Sequence, residues 1–249
     1  MELVRIDSAG STSTYLAGIA DGCCHGTAVM AREQTAGRGQ RGNSWEAEPG
    51  KNVTMSILLR PEGLEPARQF VVSQAVSLAM VEMLDCFIGA EPVSIKWPND
   101  IYVGDSKIAG ILIENVISGT EISRTIVGIG LNVNQTEFVS DAPNPVSLKG
   151  LMHKADFDVD ALGEALARDV IEKTDRALSS AEAAAEVAEA YFARMWRGDG
   201  GYHPYYDHMR GVYMEARIDA VAATGHITLT DRADGEARVY AFKEISAVL

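Results

Sequence analysis

Three short segments of this 249-residue chain combine side chains suited to chemistry on anions. The first is Gly37-Arg38-Gly39-Gln40-Arg41-Gly42. Glycine lets backbone N–H groups come close to a ligand, and guanidinium groups bind carboxylate or phosphate oxygens through paired donors. The spacing also fits G-x-G-x-x-G, the pattern of dinucleotide-binding turns. Context denies that reading, because the fingerprint needs a helix immediately after it to meet pyrophosphate. Here Asn43-Ser44-Trp45-Glu46-Ala47-Glu48-Pro49-Gly50 follows, with no helical pattern. Arg38 and Arg41 are the charges of residues 34–45, and Glu46 lies just outside. A locally basic, glycine-rich loop in an acidic chain points to a small anionic ligand. The competing reading is a surface loop that is basic by chance.

The second segment is Lys96-Trp97-Pro98-Asn99-Asp100, followed by Lys107-Ile108-Ala109-Gly110-Ile111-Leu112-Ile113-Glu114. Lys96, Asp100 and Lys107 would gather two cations and a carboxylate near one ligand, and Ala109 and Gly110 leave room for close approach. Any single lysine is more often a solvated surface residue, so the argument rests on the set. The third segment, Gly128-Ile129-Gly130-Leu131-Asn132-Val133-Asn134, alternates glycine with apolar residues. Asn132 reads equally well as a ligand contact or as a turn-stabilising amide.

These segments need elements to hold them. A short strand is expected at 2–6, then a hydroxyl N-cap among Ser11-Thr12-Ser13-Thr14 opening a short helix. Strands follow at 27–31 and 53–59, separated by a long loop over 34–52 that fits neither period 2 nor period 3.6. Residues 66–88 read as a helix, with Pro66 near its start and Gly89 past its end. Short β-type runs at 93–95 and 101–103 precede strands at 108–117 and 122–133, joined by Ser118-Gly119-Thr120, so the sheet is antiparallel or mixed. Residues 158–196 read as two helices broken near Ser179-Ser180. A boundary is expected at Gly198-Asp199-Gly200-Gly201, dividing the chain into 1–200 and 201–249. The second part shows four β-type runs, at 212–220, 226–229, 238–242 and 245–249, with a hairpin signal at Asp234-Gly235, and reads as a small barrel-like domain.

Composition sets the limits. Lys+Arg number 22 and Asp+Glu 35, giving a formal charge of −13, with 47% hydrophobic and 23% charged residues. An acidic chain is a poor coat for nucleic acid and a poor partner for an anionic membrane. No apolar run reaches the roughly 18–20 residues that span a bilayer, and the first residues lack the basic start and apolar stretch of a signal peptide. The expectation is a soluble, cytoplasmic protein. Cys23 and Cys24 are adjacent and the cysteine count is odd, so no disulfide framework is expected. Cys23-Cys24-His25 has no completing ligands at zinc spacings, so no resident metal is expected. Residues 150–199 hold 6 Lys+Arg and 11 Asp+Glu, which places much of the acidity on the helical part.

The order of the three segments resembles that of the biotin–protein ligases (biotin–[acetyl-CoA-carboxylase] ligases). The match is dense from about Ser11 to Val133 and weaker through the helices. Arg238-Val239-Tyr240-Ala241-Phe242-Lys243-Glu244-Ile245 is similar to that family's small SH3-like domain. The resemblance implies an α+β fold, with a mixed sheet and flanking helices as in class II synthetases, followed by a small C-terminal SH3-like β-barrel. It implies that biotin is activated with ATP and Mg²⁺ to biotinyl-5′-AMP, then transferred to a lysine of a biotin carboxyl carrier domain. By position, Ser11, Thr12, Ser13, Gln34, Arg38, Gly39, Gln40, Lys107 and Gly110 match the biotin side. Arg38, Arg41, Trp45, Lys96, Asn99 and Asn132 match the nucleotide side. Lys107 and Arg38 are implied as catalytic, and Asp100 is the candidate that steers or deprotonates the incoming amine.

The chain departs from the family pattern at two places. Gly10-Ser11-Thr12-Ser13 stands where the family has Asp/Glu-Ser-Thr-Asn, and Gln40 stands where arginine is common, so the resemblance implies that the cationic role passes to Arg41 and that retention of the adenylate differs from relatives with arginine there. With motifs beginning by Ser11, no helix-turn-helix is expected ahead of them, and so no DNA binding. A homodimer is compatible with the resemblance. The rival readings are a lipoate–protein ligase of the same fold and a non-catalytic biotin or nucleotide sensor.

Overall fold

The computed structural model describes residues 1–40, 43–89, 91–140, 143–153 and 156–249. Seven strands form one mixed sheet: β1 (Glu2–Ala9), β2 (Thr27–Gln34), β3 (Val53–Leu59), β4 (Val93–Lys96), β5 (Asp100–Val103), β6 (Ser106–Ser118) and β7 (Glu121–Leu131). Their order is β1-β2-β3-β7-β6-β5-β4. The β1–β2 pair is parallel and the other pairs are antiparallel. A parallel pair needs a crossover, and α1 (Thr12–Ile19) supplies it.

Every residue of β3 is buried, as expected for a central strand covered on both faces. Leu58 packs with Leu16 of α1 on one face. Met55, Ile57 and Leu59 join the larger core, which includes α2 (Phe70–Asp85) and α4 (Val159–Leu178), on the other. A five-residue helix, α3 (Leu148–Met152), precedes α4. The break after α4 falls at Ser179-Ser180 as expected. Ser180 caps α5 (Ala181–Ala193) by accepting the Ala183 N–H, which satisfies one of its orphan donors.

The C-terminal part holds five antiparallel strands rather than four: β8 (His203–Asp207), β9 (Val212–Val221), β10 (Ile227–Asp231), β11 (Ala237–Tyr240) and β12 (Ile245–Ala247). The additional strand is β8, whose second residue is Pro204; proline demotes a strand signal. The order β11-β10-β9-β8-β12 leaves β11 and β12 at opposite ends, so the expected barrel is an unclosed antiparallel sheet. Its buried side chains, among them Tyr205, Ile218, Leu229 and Ile245, are continuous with the main core. Trp97 also ties the two sheets together. Its Nε1–H donates to the Gly225 carbonyl at 2.9 Å, and its ring meets Phe242 edge-on at 6.1 Å. The division at 200/201 stands as a proposal about folding units. Among the described residues no helix is long and apolar enough to cross a membrane.

Candidate active site

A cavity of about 940 Å³ opens on the sheet. Its hydroxyl-rich end follows from the β1–β2 register, which sets Ala9 opposite Gln34 and so brings Gln34 beside the residues that leave β1. Gln34 Oε1 accepts the Thr12 N–H at 2.8 Å and the Thr12 hydroxyl at 3.1 Å. Ser56, from β3, bonds Thr12 Oγ1 at 2.8 Å and Ser13 Oγ at 2.9 Å. Ser11, Thr12 and Ser13 are all buried. Ser11 occupies the N-cap position of α1, but its side chain makes no cap bond. The expected hydroxyl cap is therefore a correct position without the bond.

The glycine-rich loop folds back on itself. The Gly39 N–H donates to the Asn43 carbonyl at 2.7 Å, and the Trp45 N–H donates to the Gly37 carbonyl at 3.0 Å. A Cβ on Gly37 would lie 2.5 Å from the Trp45 carbonyl oxygen, so this turn requires glycine there. Arg38 pairs with Glu114 at 2.5 Å and donates to Thr14 Oγ1 at 3.3 Å. The Trp45 indole lies over Gly110 and Gly130, which are cross-strand partners on β6 and β7. Its Nε1–H is buried without a hydrogen-bond partner. A Cβ on Gly130 would run into this ring. Gly130→Ala is therefore expected to displace Trp45 and raise the Kd of the cavity's ligand about tenfold, the scale of an overpacked contact. Titration of the folded variant checks this, and an unchanged Kd would refute it.

The charged end lies where β5 meets β6. Lys107 Nζ sits 2.7 Å from Asp100 Oδ1, both side chains about three-quarters buried, and 5.6 Å from the centre of the Trp45 ring. Asn99 is buried and spends its side-chain amide on the Ile111 carbonyl, while its own carbonyl accepts the Ile111 N–H at 3.0 Å. These bonds pin the turn that carries Asp100. Lys96 Nζ donates to the Tyr102 hydroxyl at 2.9 Å and lies 5.3 Å from the Trp196 ring. Burial pushes the Lys96 ammonium down from its usual range, with Asp100 opposing and Lys107 and Arg197 adding to the fall. Asn132 donates to the Val146 carbonyl at 3.0 Å, and its Oδ1 is a buried acceptor without a partner.

The cavity thus brings together Ser11, Thr12, Ser13, Gln34, Arg38, Gly39, Gln40, Trp45, Lys96, Asn99, Asp100, Lys107, Gly110 and Asn132. Arg41 lies outside the described residues. The sequence reading missed Ser56, the Arg38 partner Glu114, the Lys96 partners Tyr102 and Trp196, and the wall supplied by Phe242 and Ile245 of the C-terminal part. Glu114, Phe242 and Ile245 lie in motif segments the sequence singled out without a site role, and Ser56, Tyr102 and Trp196 lie in none; pairing across the fold brings them all to the site.

The biotin/lipoate A/B protein ligase family matches residues 9–132, a span that holds the first two motif segments and the third as far as Asn132. The biotin–[acetyl-CoA-carboxylase] ligase of Paracoccus denitrificans is 36% identical over 176 residues, covering 67% of this chain and 70% of that protein. The chain belongs to the biotin/lipoate A/B protein ligase family. Within that family, the bifunctional ligase/repressor BirA of Bacillus subtilis is 40% identical over 111 residues. That match spans 44% of this chain and only 33% of the repressor's length. The Aquifex aeolicus biotin protein ligase, solved in complex with biotin and ATP, superposes with a TM-score of 0.79 at 24% identity. It covers 98% of this chain and 97% of its own, so the ligase fold extends through the C-terminal sheet.

Proposed function

We propose that this family member is a biotin–protein ligase. It joins biotin to ATP, forming biotinyl-5′-AMP and pyrophosphate, and passes the biotinyl group to a lysine of a biotin carboxyl carrier domain, releasing AMP. The observation that carries the reading is the placement of a hydroxyl-and-amide end, a glycine floor and the Lys107–Asp100 pair in one cavity. Bringing a carboxylate onto a triphosphate requires fixed cations that offset the repulsion and the developing charge. Lys107 and Arg38 are the cations facing the cavity for that purpose. The Thr12, Ser13 and Gln34 end offers donors and acceptors to an uncharged polar ring. The glycine-rich loop screens the reactive anhydride from water. Among the described residues no group of three or more His, Cys, Asp or Glu side chains gathers as a metal site. Mg²⁺ enters this reading as the companion of the triphosphate. The formal charge of −13 fits a reading without DNA binding.

The test combines the chain with ATP, Mg²⁺, an apo carrier domain, and either biotin or lipoate. Attachment of biotin is the expected result. Attachment of lipoate alone would reassign the substrate, and attachment of neither would refute the ligase reading. Arg38 gives a second expectation. Arg38→Ala removes the paired donors of the loop, so preformed adenylate should escape about tenfold faster, the scale of a lost charge-assisted hydrogen bond. Release measured by filtration checks this, and equal release from the parent would overturn the role.

A further inference from the structure

We propose that Glu46 is a positioning residue that latches the glycine-rich loop to the 135–140 segment beside the cavity; its effect on the adenylate rests on the ligase reading above. The Glu46 carboxylate accepts the Val139 N–H at 3.0 Å, the Ser140 N–H at 2.8 Å and Gln135 Nε2–H at 3.1 Å. Gln135 is itself buried and turns its Oε1 the other way. That oxygen accepts the Glu48 N–H at 2.9 Å and Asn52 Nδ2–H at 2.6 Å. Asn52 Oδ1 in turn accepts the Val133 N–H at 2.9 Å. One carboxylate and two amides thus join residues 46–52 to residues 133–140.

Both joined segments wall the cavity. Glu46 follows Trp45, whose indole lies on the glycine floor, while Phe138 and Ser140 line the facing side. Neither segment belongs to a strand, and besides these side chains one backbone bond joins them, from the Asn134 N–H to the Lys51 carbonyl at 2.7 Å, at the end of the segments away from Val139 and Ser140. Burial opposes ionisation of Glu46, but the bonds from the Ser140 side chain, the Val139 and Ser140 backbone and Gln135 outweigh it. The carboxyl is held below its usual range, and charge-assisted bonds of this kind are the stronger ones.

The test compares the parent chain with Glu46→Ala and Glu46→Gln. Hydrogen exchange at the Val139 and Ser140 amides is measured without ligand, and release of adenylate preformed from biotin and ATP is measured separately. Glu46→Ala should speed both by about tenfold or more, the scale of losing charge-assisted bonds. Glu46→Gln keeps one acceptor oxygen and should fall between parent and alanine in both. Unchanged exchange in Glu46→Ala would overturn the latch. Faster exchange with parent-like adenylate release would overturn the positioning role. If the parent forms no adenylate, the ligase reading and the positioning role fall together, and exchange alone still judges the latch.

Discussion

Lys107→Ala is expected to slow adenylate formation by about 10²–10³-fold, the loss typical of removing one preorganised donor from developing negative charge. Two effects act in the same direction. The ammonium proposed to offset charge on the reacting phosphate disappears. Asp100, 2.7 Å from Lys107 Nζ, then faces the cavity without that partner. An unpaired carboxylate there repels both the incoming carboxylate and the triphosphate. The fold should survive, because residue 107 is held by its backbone: its N–H donates to the Asn144 carbonyl and its carbonyl accepts the Val146 N–H, each at 2.9 Å. Alanine keeps both bonds. Pyrophosphate release with biotin and ATP, beside a melting curve, separates the outcomes. Parent-like release from a folded variant would remove Lys107 from the chemistry.

Much of the framework was legible in the sequence. The β3 strand follows from the apolar residues of 53–59, the β6–β7 hairpin from Ser118-Gly119-Thr120, and the α4–α5 break from Ser179-Ser180. Five-residue elements left weaker traces. α3 is too short to show a helical period, and β8 carries Pro204. Closure of the C-terminal sheet depends on whether its end strands pair, which no local pattern encodes. The site divides along the same line. Residue types within Gly37–Gly39, 96–100 and 107–110 announce a site for anions because the chemistry is carried by neighbours in sequence. Their restraints are long-range: Arg38 is held by Glu114, Lys96 by Tyr102 and Trp196, and Thr12 by Gln34 and Ser56. Such partners become neighbours only once strands pair in register.

The second large effect belongs to Asp100, and its signature differs from that of Lys107. Asp100→Asn should slow transfer from preformed adenylate to the carrier lysine by about 10²–10⁴-fold, the range for losing a positioned base. Adenylate formation should stay close to the parent rate. Asparagine keeps the shape and one acceptor oxygen for Lys107 Nζ, so the lysine stays in place. Its positive charge is then less offset, which favours anionic ligands if anything. The ion pair gives the sequence of events a physical basis. Lys107 engages the Asp100 carboxylate at 2.7 Å, and on the proposed reading a bound carboxylate and phosphate would compete for that ammonium and free Asp100 to meet the cationic amine of the carrier. On that reading the base would become available as the intermediate that needs it is formed. Single-turnover transfer from preformed adenylate, set beside pyrophosphate release, reads the two steps separately. Accumulated adenylate with slow transfer is the expected result. Equal loss in both steps would make Asp100 a structural anchor of its turn, and parent-like transfer would leave the amine without this partner.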